Sequence, residues 1–435
     1  MITVTKHRWV ALAALLTAEA MNLLDSTVVQ VVGPVVRASL GGPLSDVQWY
    51  TAAYTLAFAV LLVTGGRLGD RYGRRRVFRV GVVGFVVASV LCALAWSSGA
   101  LVAWRVLQGA SSALVIPQTL GLIRAAFGEE ERSRALGFIG PVMGLAAVCG
   151  PVLGGVLTHA ATWRAVFLVN VPLGVAVLAL SVLLPEDRGA VRRLDLVGSL
   201  LVVVGAGLVV HPLIQTWDAR VFGLGVLVLL VFAWHQRRWG ALVERSLFAR
   251  PAFPAALVTS TLLFAVVTGV LPVVVLDLEL RSRVDVLDAG VAVLPWSVAM
   301  GVGSWVAGAW LVPRFGSRVM AAGAVLLGGG VVAFALGGWL PAALTLCGLG
   351  FGLFATPFFT IALAAVRPEE TGSAAGLLNA VQQFGGTLGV AVLVTAYLAH
   401  GPSTAAWLAA AALLPMTAAA AVMTRPPAAA PKGTR

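Results

Sequence analysis

The sequence predicts an all-α membrane protein with fourteen transmembrane helices. Hydrophobic residues make up 59% of its 435 residues and charged residues only 11%, whereas a soluble domain carries about 25% charged residues. Apolar runs of about 20 residues, the length of helix that spans a bilayer, recur along the whole chain. Arginines are concentrated in alternate connecting segments, as expected for loops on one side of a membrane.

The apolar runs define fourteen predicted spans. The seventh and eighth are the least distinct, because only the short segment from His211 to Trp217 separates them. The first run follows Lys6 and Arg8 like a signal peptide, but it continues past Glu19, so a retained helix is predicted. In order, the predicted spans are residues 9–33, 47–67, 77–97, 100–123, 135–158, 165–184, 195–213, 220–236, 252–276, 287–311, 318–337, 341–363, 373–398 and 404–423.

The charge distribution predicts the orientation of these spans. With the N-terminus in the cytoplasm, the cytoplasmic segments carry 24 of the 30 Lys and Arg residues, the opposite loops carry five, and Arg105 lies inside a span. The positive-inside rule therefore predicts a multi-pass protein with both termini cytoplasmic. The preference for arginine over lysine suggests a bacterial protein, hence one of the inner (cell) membrane. Because loops explain the net charge of +12, nucleic acid is not an expected partner.

A short internal repeat predicts how the spans are organised. "GGRLGDRYGRR" at Gly65–Arg75 matches "GAWLVPRFGSR" at Gly308–Arg318 at five positions with one constant offset. Each copy joins two predicted spans on the basic side, as in transporters built from two parallel repeats around a central site. We therefore predict a six-helix half at 1–190, two inserted helices and a linker at 191–250, and a second six-helix half at 251–435.

Six motifs occur in an order that resembles a known family. The chain resembles the major facilitator superfamily, and within it the fourteen-helix drug:proton antiporters. This resemblance implies a secondary active transporter that exports hydrophobic, cationic drugs or antibiotics in exchange for protons by alternating access. A monomer is the expected assembly, although the sequence itself does not give the oligomeric state. The motifs are "LLDSTVVQVVGP" (Leu23–Pro34), "VQWYTAAYTLAFAVLL" (Val47–Leu62), "GGRLGDRYGRRR" (Gly65–Arg76), "LVAWRVLQGASSA" (Leu101–Ala113), "CGPVLGGVL" (Cys149–Leu157) and "TWRAVFLVNVPLG" (Thr162–Gly174).

The basic loop after the second span is a candidate gate. Its glycines permit a tight turn and close backbone approach, and its lone acid can pair with Arg74 or Arg75, or with the positive end of a neighbouring helix. In the family, the residue that matches Asp70 latches the two halves together on the cytoplasmic side. The candidate gating residues are Gly66, Asp70, Arg71, Gly73, Arg74 and Arg75.

Three charged residues inside predicted spans are candidates for proton coupling. A charge at the bilayer centre costs about 3 kcal/mol, so it is retained where it faces a cavity or a partner. Asp25 matches the family's first-helix acid, and Arg105 matches the fourth-helix arginine associated with proton transfer. The alternative for both is a fixed, structural Asp25–Arg105 pair. Glu19 lies in no motif, about 9 Å along the helix from Asp25 and on another face; an interhelical hydrogen bond is its alternative role.

The fifth span carries a candidate antiporter motif, and several residues are candidates for substrate binding. Glycines allow close helix packing, and proline disturbs the helical ladder; by resemblance, Gly150, Pro151, Gly154 and Gly155 mark an antiporter. Aromatic side chains could line a pocket for a flat cation, although interfacial anchoring or packing is the alternative for most of them. The candidate substrate-binding residues are Asp25, Tyr54, Gln108, Trp296, Phe358 and Gln382.

Two positions depart from the family pattern. Gln382 stands where many relatives carry Arg, so a role that needs a fixed positive charge there is in doubt. Asp277 and Glu279 follow the ninth span where an aromatic residue and Gln are usual. We interpret them as part of a solvated loop, with attraction of cationic substrates as the alternative.

The sequence also excludes several classes of function. It contains no Walker A motif, no H-E-x-x-H and no G-x-S-x-G, so no enzyme activity, metal or cofactor is predicted, and energy is expected from an ion gradient. Expected partners are a small-molecule substrate, protons and the lipid bilayer. Two other hypotheses stay open: a dedicated exporter of one endogenous metabolite, and a non-transporting membrane receptor.

Overall fold

The computed structural model describes residues 2–189, 194–239, 244–249, 251–364, 366–367 and 370–424, which form helices and turns without any strand. Fourteen of these helices are long and apolar enough to cross a membrane. They are α1 Arg8–Leu40, α2 Asp46–Tyr72, α3 Arg74–Ala93, α4 Ser98–Ala126, α5 Val142–Ala160, α6 Ala165–Leu183, α7 Leu196–Ile214, α8 Ala219–Trp239, α9 Ala252–Arg281, α10 Val286–Phe315, α11 Arg318–Ala335, α12 Leu340–Ala364, α13 Gly372–His400 and α14 Pro402–Met423.

The predicted fold class, including the inserted seventh and eighth helices, is confirmed. Several boundaries differ from the prediction, and those at α1 and α5 differ most. Helix α1 continues beyond residue 33 to Leu40 with Pro34 inside it, as membrane helices tolerate when neighbours satisfy the freed backbone groups. Before α5, the charged segment Glu129–Gly137 forms a separate short helix, so the span itself begins later than predicted.

The two ends of the bundle differ in charge. We call the end that carries Arg71–Arg79, Arg124 and Arg314–Arg318 the basic end, and the other the opposite end. Six basic residues that contribute to the predicted charge asymmetry lie outside the described residues, namely Arg192, Arg193, Arg250, Arg425, Lys432 and Arg435. The assignment of the basic end to the cytoplasm stays a prediction.

Two sets of six helices pack in the same pattern. In the first set, α2 and α3 both pack on α4, and α1 packs on α5; in the second, α10 and α11 pack on α12, and α9 packs on α13. The matched turns of the internal repeat also agree, since Gly73 and Gly316 both have positive φ, 99° and 54°. The division at residues 190 and 250 stays a prediction, and both residues lie outside the described part of the chain.

The inserted helices form a hairpin that contacts both sets. Thr64 of α2 and Ser199 of α7 share a hydrogen bond of 2.8 Å. At the other end of α7, Thr395 of α13 donates to the Leu213 carbonyl at 2.8 Å. Helix α8 packs on α7, and only 11% of its most apolar stretch is buried in the protein. Helix α7 therefore lies across the boundary between the sets, and α8 faces lipid.

Asp195 joins the start of α7 to the end of α8 at the basic end. Its carboxylate accepts hydrogen bonds from Gly198 N at 2.7 Å, Gln236 Nε2 at 2.8 Å and His235 Nε2 at 3.0 Å. Burial works to raise the pKa of Asp195, but the hydrogen bonds outweigh it and hold that pKa below its usual value. Asp195 is thus both the N-cap of α7 and its tie to α8.

Asp195→Asn is expected to destabilise the protein by up to about 1 kcal/mol at neutral pH, because Asn can still cap the helix but the negative charge at the N-terminus of α7 is lost. The lowered pKa adds stability that is fully present above the ordinary value of 3.8 and is lost as the pH falls through the folded-state value. Thermal unfolding should therefore separate variant from wild type at pH 7, and the difference should shrink below pH 3.8. A difference that does not depend on pH would contradict this account.

Candidate functional site

A polar cluster without access to solvent lies inside the first six-helix set. Its members are contributed by five of the six helices, and each of them is less than a tenth exposed. Only α5 contributes none of them. They are Asn22 and Asp25 on α1, Tyr50 and Tyr54 on α2, Ser89 on α3, Arg105, Gln108 and Ser112 on α4, and Asn170 on α6.

Asp25 and Arg105 form an ion pair at the centre of this cluster. Arg105 Nη1 donates to Asp25 Oδ2, and both side chains are completely buried. The same Nη1 contacts Gln108 Oε1 at 2.7 Å, and Arg105 Nε donates to the Tyr50 carbonyl at 2.8 Å. Asp25 and Arg105 are therefore paired in this conformation, and the coupling and structural roles of the pair both stay predictions.

Two amide side chains complete the shell around Asp25. Gln108 Nε2 donates to Asp25 Oδ1 at 2.8 Å, and Asn170 Nδ2 donates to the same oxygen at 3.0 Å. Ser89 Oγ accepts from Gln108 at 2.9 Å and so ties α3 to the cluster. Sequence reasoning missed five members of the cluster, namely Asn22, Tyr50, Ser89, Ser112 and Asn170. Asn170 lies within the quoted motif "TWRAVFLVNVPLG", which was a usable signal, whereas Ser89 is a lone hydroxyl in an apolar run.

Tyr54 packs against the cation. Its hydroxyl donates to Asn22 Oδ1 at 2.7 Å and lies 3.0 Å from Ser112 Oγ. The Arg105 guanidinium carbon is 4.3 Å from the centre of the Tyr54 ring, within the range of a cation–π interaction. Arg105 is thus held by a carboxylate, a carbonyl and an aromatic face at once.

Glu19 is the second carboxylate on α1 and lies apart from this cluster. It lies beside Thr119 of α4, on the side of the cluster toward the basic end, and it is half-buried rather than fully buried. The structure therefore separates the two candidate acids, as their positions on different faces of α1 predicted.

The basic loop between α2 and α3 is held by an ionic network. Arg74 pairs with Asp70 at 2.8 Å and with Asp187 at 2.6 Å, and its backbone N–H donates to the Asp187 carbonyl at 2.8 Å. Gly73 takes the positive φ that the sharp turn requires. The predicted Asp70–Arg74 pair is present.

The other candidate gating residues lie close to this network within the first set. Gly66 faces Pro117 of α4, Arg71 lies against the ring of Tyr72, and Arg75 is half-buried on the first turn of α3. The described contacts of Asp70 are with Arg74 and Gly189. A latch between the two halves stays a prediction, and residues 368 and 369, just before α13, lie outside the described residues.

The candidate antiporter motif on α5 contacts both sets. A Cβ on Gly150 would overlap Thr27, and one on Gly154 would lie 3.1 Å from Val28, both on α1. A Cβ on Gly155 would lie 3.0 Å from Leu287 Cα of α10, and Gly290 of α10 packs on the Pro151 carbonyl. These small residues therefore let α1, α5 and α10 approach closely at the opposite end.

The candidate substrate-binding residues are divided equally between the two six-helix sets. Asp25, Tyr54 and Gln108 belong to the polar cluster. Trp296 on α10 and Phe358 on α12 are 2% and 0% exposed in the apolar core. Gln382 is buried on α13 with 8% exposed. Their role in binding stays a prediction.

The interpretation of Asp277 and Glu279 as a solvated loop is wrong. Helix α9 does not end before them but continues through a π-helical turn, Asp277–Arg281, closed by the hydrogen bond from Ser282 N to the Asp277 carbonyl at 3.1 Å. One carboxylate oxygen of each acid is buried without a hydrogen-bond partner.

Comparison with known proteins agrees with this architecture. The family model described as Major Facilitator Superfamily matches residues 15–390. A solved POT family transporter, in complex with a thioalcohol-conjugated peptide, is similar with a TM-score of 0.73 at 13% sequence identity, over 95% of this chain and 96% of that one. At this identity, the likeness concerns the fold.

Three curated relatives are similar over most of their length. A probable actinorhodin transporter of Streptomyces coelicolor is 46% identical over 90% of this chain and 72% of that protein. A puromycin resistance protein of Streptomyces alboniger is 38% identical over 92% and 85%, respectively. A cephamycin export protein of Amycolatopsis lactamdurans is 34% identical over 88% and 84%.

Proposed function

The chain belongs to the Major Facilitator Superfamily, and on that premise we propose that it exports hydrophobic, cationic drugs or antibiotics in exchange for protons by alternating access. Its relatives include antibiotic exporters and resistance proteins, and family membership indicates a transporter rather than an enzyme. The observation that carries the proton-coupled part of the proposal is the fully buried Asp25–Arg105 pair.

A buried ion pair of this kind can make the contact between two helices depend on protonation. Two charges out of water are tolerated while each compensates the other, and most of the polar atoms around this pair are hydrogen-bonded, with Arg105 Nη2 and Asn170 Oδ1 as buried exceptions. A proton on Asp25 removes the negative charge to which Arg105 is paired, and the packing of α1 against α4 then has to change. Proton binding is thereby linked to a rearrangement of helices, which antiport requires.

The antiporter motif connects the Asp25–Arg105 pair with the boundary between the halves through a chain of packing contacts. Thr27 and Val28 follow Asp25 on α1 and pack on Gly150 and Gly154 of α5. One residue further, Gly155 packs on Leu287 of the second half. A shift of α1 at Asp25 would therefore be transmitted to the contact between the halves in two steps, from α1 to α5 and from α5 to α10.

We propose the same topology and assembly as the sequence predicts. The protein is a multi-pass protein of the inner membrane, with the basic end and both termini in the cytoplasm, and it acts as a monomer. Glu19, half-buried toward the basic end, would be the second titratable group on the path of the proton.

A second candidate function is export of one endogenous metabolite. All three relatives carry the name of a single compound, actinorhodin, puromycin or cephamycin. The Asp25–Arg105 pair would couple protons to transport in either case. Competition experiments distinguish the two functions, because a drug exporter accepts many compounds and a dedicated exporter accepts one. A non-transporting receptor is disfavoured, because the chain belongs to a transporter family.

Substrate-dependent proton release from everted membrane vesicles tests the proposal. Vesicles with an acid interior and a ΔpH-sensitive dye would receive a panel of lipophilic cations, with wild type, Asp25→Asn and Glu19→Gln compared at equal expression. We expect proton release in wild type and at least a tenfold smaller response in Asp25→Asn. No response of wild type to any compound would contradict broad drug antiport, and an unchanged response of Asp25→Asn would move the coupling role to Glu19.

A further inference from the structure

The described hydrogen bonds of the Asp25 carboxylate all come from donors. Its Oδ2 accepts from Arg105 Nη1, and its Oδ1 accepts from Gln108 Nε2 at 2.8 Å and from Asn170 Nδ2 at 3.0 Å. An ionised carboxylate only accepts hydrogen bonds, so this shell suits the charged form. A protonated carboxyl group also donates one, and a buried O–H without an acceptor is costly. A shell that serves a proton carrier therefore has to supply an acceptor as well.

Of the two Asp25 oxygens, Oδ1 is the one at which a proton can find an acceptor. Oδ2 faces the Arg105 guanidinium, which has five donors and no acceptor atom. An O–H at Oδ2 would therefore point at a donor that cannot be exchanged for an acceptor. Oδ1 faces two side-chain amides, and each amide carries an acceptor oxygen beside its donor nitrogen. Rotation of one amide by 180° about its last side-chain bond would present that oxygen to the O–H.

Gln108 is not free to make this rotation. Its Oε1 accepts from Arg105 Nη1 at 2.7 Å and from the Cys92 thiol at 3.7 Å. Its Nε2 also donates to Ser89 Oγ at 2.9 Å, and that hydroxyl donates its own hydrogen to the Phe85 carbonyl at 2.8 Å. Turning this amide would place its nitrogen against the guanidinium and its oxygen against a hydroxyl without a free hydrogen, so all of these hydrogen bonds would be lost together.

Asn170 is the amide that can turn. Its side chain is fully buried, and its Oδ1 has no hydrogen-bond partner among the described residues. Apart from its bond to Asp25, Nδ2 makes one long contact of 3.4 Å with Ser89 Oγ. Because the oxygen and nitrogen of an amide are nearly equal in size, a 180° rotation needs no additional space. One amide atom lacks a partner before and after the rotation, but afterwards the Asp25 O–H has an acceptor.

The backbone keeps Asn170 beside Asp25. Helix α6 is interrupted at Val169, between the helical segments Ala165–Leu168 and Asn170–Leu180, so Asn170 begins the second segment. This segment packs on both α1 and α3. The amide is therefore held at a fixed point between these two helices, and rotation of the side chain is sufficient to exchange its donor for its acceptor.

The other charged or titratable side chains around Asp25 offer no acceptor for this proton. They are Glu19 on α1, Tyr54 on α2, Cys92 on α3 and Arg105 on α4. Arg105 has donors only, the hydroxyl and the thiol donate to other side chains, and Glu19 lies about 9 Å away along α1. Residues 142–158 of α5 and 252–276 of α9, which also pack on α1, contain no charged residue.

We propose that Asn170 is a positioning residue that responds to the protonation state of Asp25. Its amide donates to the carboxylate, and it turns by 180° to accept the hydrogen bond of the protonated carboxyl group. The proton passes from water to Asp25 Oδ1, and no other covalent bond forms or breaks. Asn170 thus stabilises both forms of the acid, which a shell of fixed donors does not. The inference rests on the proposed proton-coupled export.

Infrared difference spectra of the complete protein in lipid test this proposal. The chain contains three asparagines, Asn22, Asn170 and Asn379, so a carbon-13 label on the side-chain carbonyl of asparagine gives a simple spectrum. On acidification we expect the carboxyl band of protonated Asp25 to appear and one labelled carbonyl band to move to lower wavenumber, because that carbonyl gains a hydrogen bond. Both changes should be lost in Asp25→Asn, and the carbonyl change should be lost in Asn170→Ser.

Substitutions of Asn170 give a second readout. Asn170→Leu keeps the volume but has neither donor nor acceptor, so the Asp25 carboxyl band should move to higher wavenumber. The maximal rate of export of the cationic dye ethidium should fall about tenfold, since a buried O–H is left without an acceptor, while the dye concentration at half-maximal rate should stay nearly unchanged. Asn170→Ser, whose hydroxyl both donates and accepts, should restore most of this rate.

Asn22→Leu is the matched control for the infrared measurement. It removes an amide from the same cluster, but the described partner of Asn22 is Tyr54 and not Asp25. The Asp25 carboxyl band should therefore keep its wild-type position in Asn22→Leu. A shift equal to that in Asn170→Leu would show that general disturbance of the cluster moves the band, and would overturn the specific role of Asn170.

The remaining outcomes separate this inference from the proposed function. An Asp25 carboxyl band without any change of the labelled Asn170 carbonyl would overturn the inference and leave proton binding by Asp25 intact. The absence of any carboxyl band that depends on Asp25 would instead refute proton coupling by this residue. Because the labelled wild-type spectrum needs no variant of Asn170, the question is decided even if Asn170→Leu does not fold.

Discussion

Arg105→Met is expected to destabilise the protein by about 3–5 kcal/mol and to abolish proton-coupled export. Methionine keeps an unbranched side chain at this position but leaves the Asp25 carboxylate buried without its cation. Removing one partner of a buried ion pair has a cost of this order. The Tyr50 carbonyl would also lose its donor at 2.8 Å. Thermal unfolding in detergent and dye-monitored proton release would measure the two effects separately.

The double variant Asp25→Asn/Arg105→Met separates the structural from the functional role of the pair. With no charge left in the cluster, much of the lost stability should return, since replacing both partners of a buried ion pair is often neutral. Transport should not return, because the titratable group is missing. A double variant as unstable as Arg105→Met would show that the hydrogen bonds, and not the charge balance, hold the cluster. One that still couples protons would place the proton site elsewhere.

The spans were predictable from the sequence because lipid requires each spanning segment to satisfy its own backbone polar groups, which makes long apolar runs helical. The Asp25–Arg105 pair was predictable as one of two alternatives, since a charge inside the membrane requires a partner. Ser89 and Asn170 were not predicted, because whether a neutral polar side chain joins a cluster depends on the rotation of its helix, and periodicity in an almost wholly apolar helix does not fix that rotation.

The error at Asp277 and Glu279 has a related physical cause. Two acids next to Arg281 resemble the polar start of a loop, and hydropathy alone ends the span before them. The structure instead extends α9 by a π-helical turn to Arg281, which changes the direction of the side chains and leaves these carboxylates partly enclosed. The side of α7 that contacts α2 and α13 was also hard to predict, because the sequence of α7 is apolar apart from Ser199 and His211.

Gly155→Val is expected to stop the transport cycle without unfolding the protein. The new Cβ would lie 3.0 Å from Leu287 Cα and 3.1 Å from the Val286 carbonyl oxygen, both on the other half. Overpacking of this kind costs about 1–3 kcal/mol, and the cost falls only on the conformation in which α5 and α10 meet. A shift of about 2 kcal/mol changes the equilibrium between conformations about 30-fold, so the closed state at the opposite end should become rare.

Spin labels on Gly99→Cys and Ser403→Cys, one on each half at the opposite end, would measure this shift as a longer mean distance in Gly155→Val. Gly207→Val is the neutral control, since no heavy atom lies within 4 Å of a Cβ there. Gly109→Val is the contrasting one, because its Cβ would overlap the Tyr54 carbonyl within a single half and should impair folding instead. If Gly155→Val unfolds like Gly109→Val, or keeps the wild-type distance, the contact of Gly155 with α10 does not control closure. The distance between the spin labels therefore distinguishes two roles of glycine. Gly155 allows the two halves to approach each other, whereas Gly109 allows helices of a single half to pack.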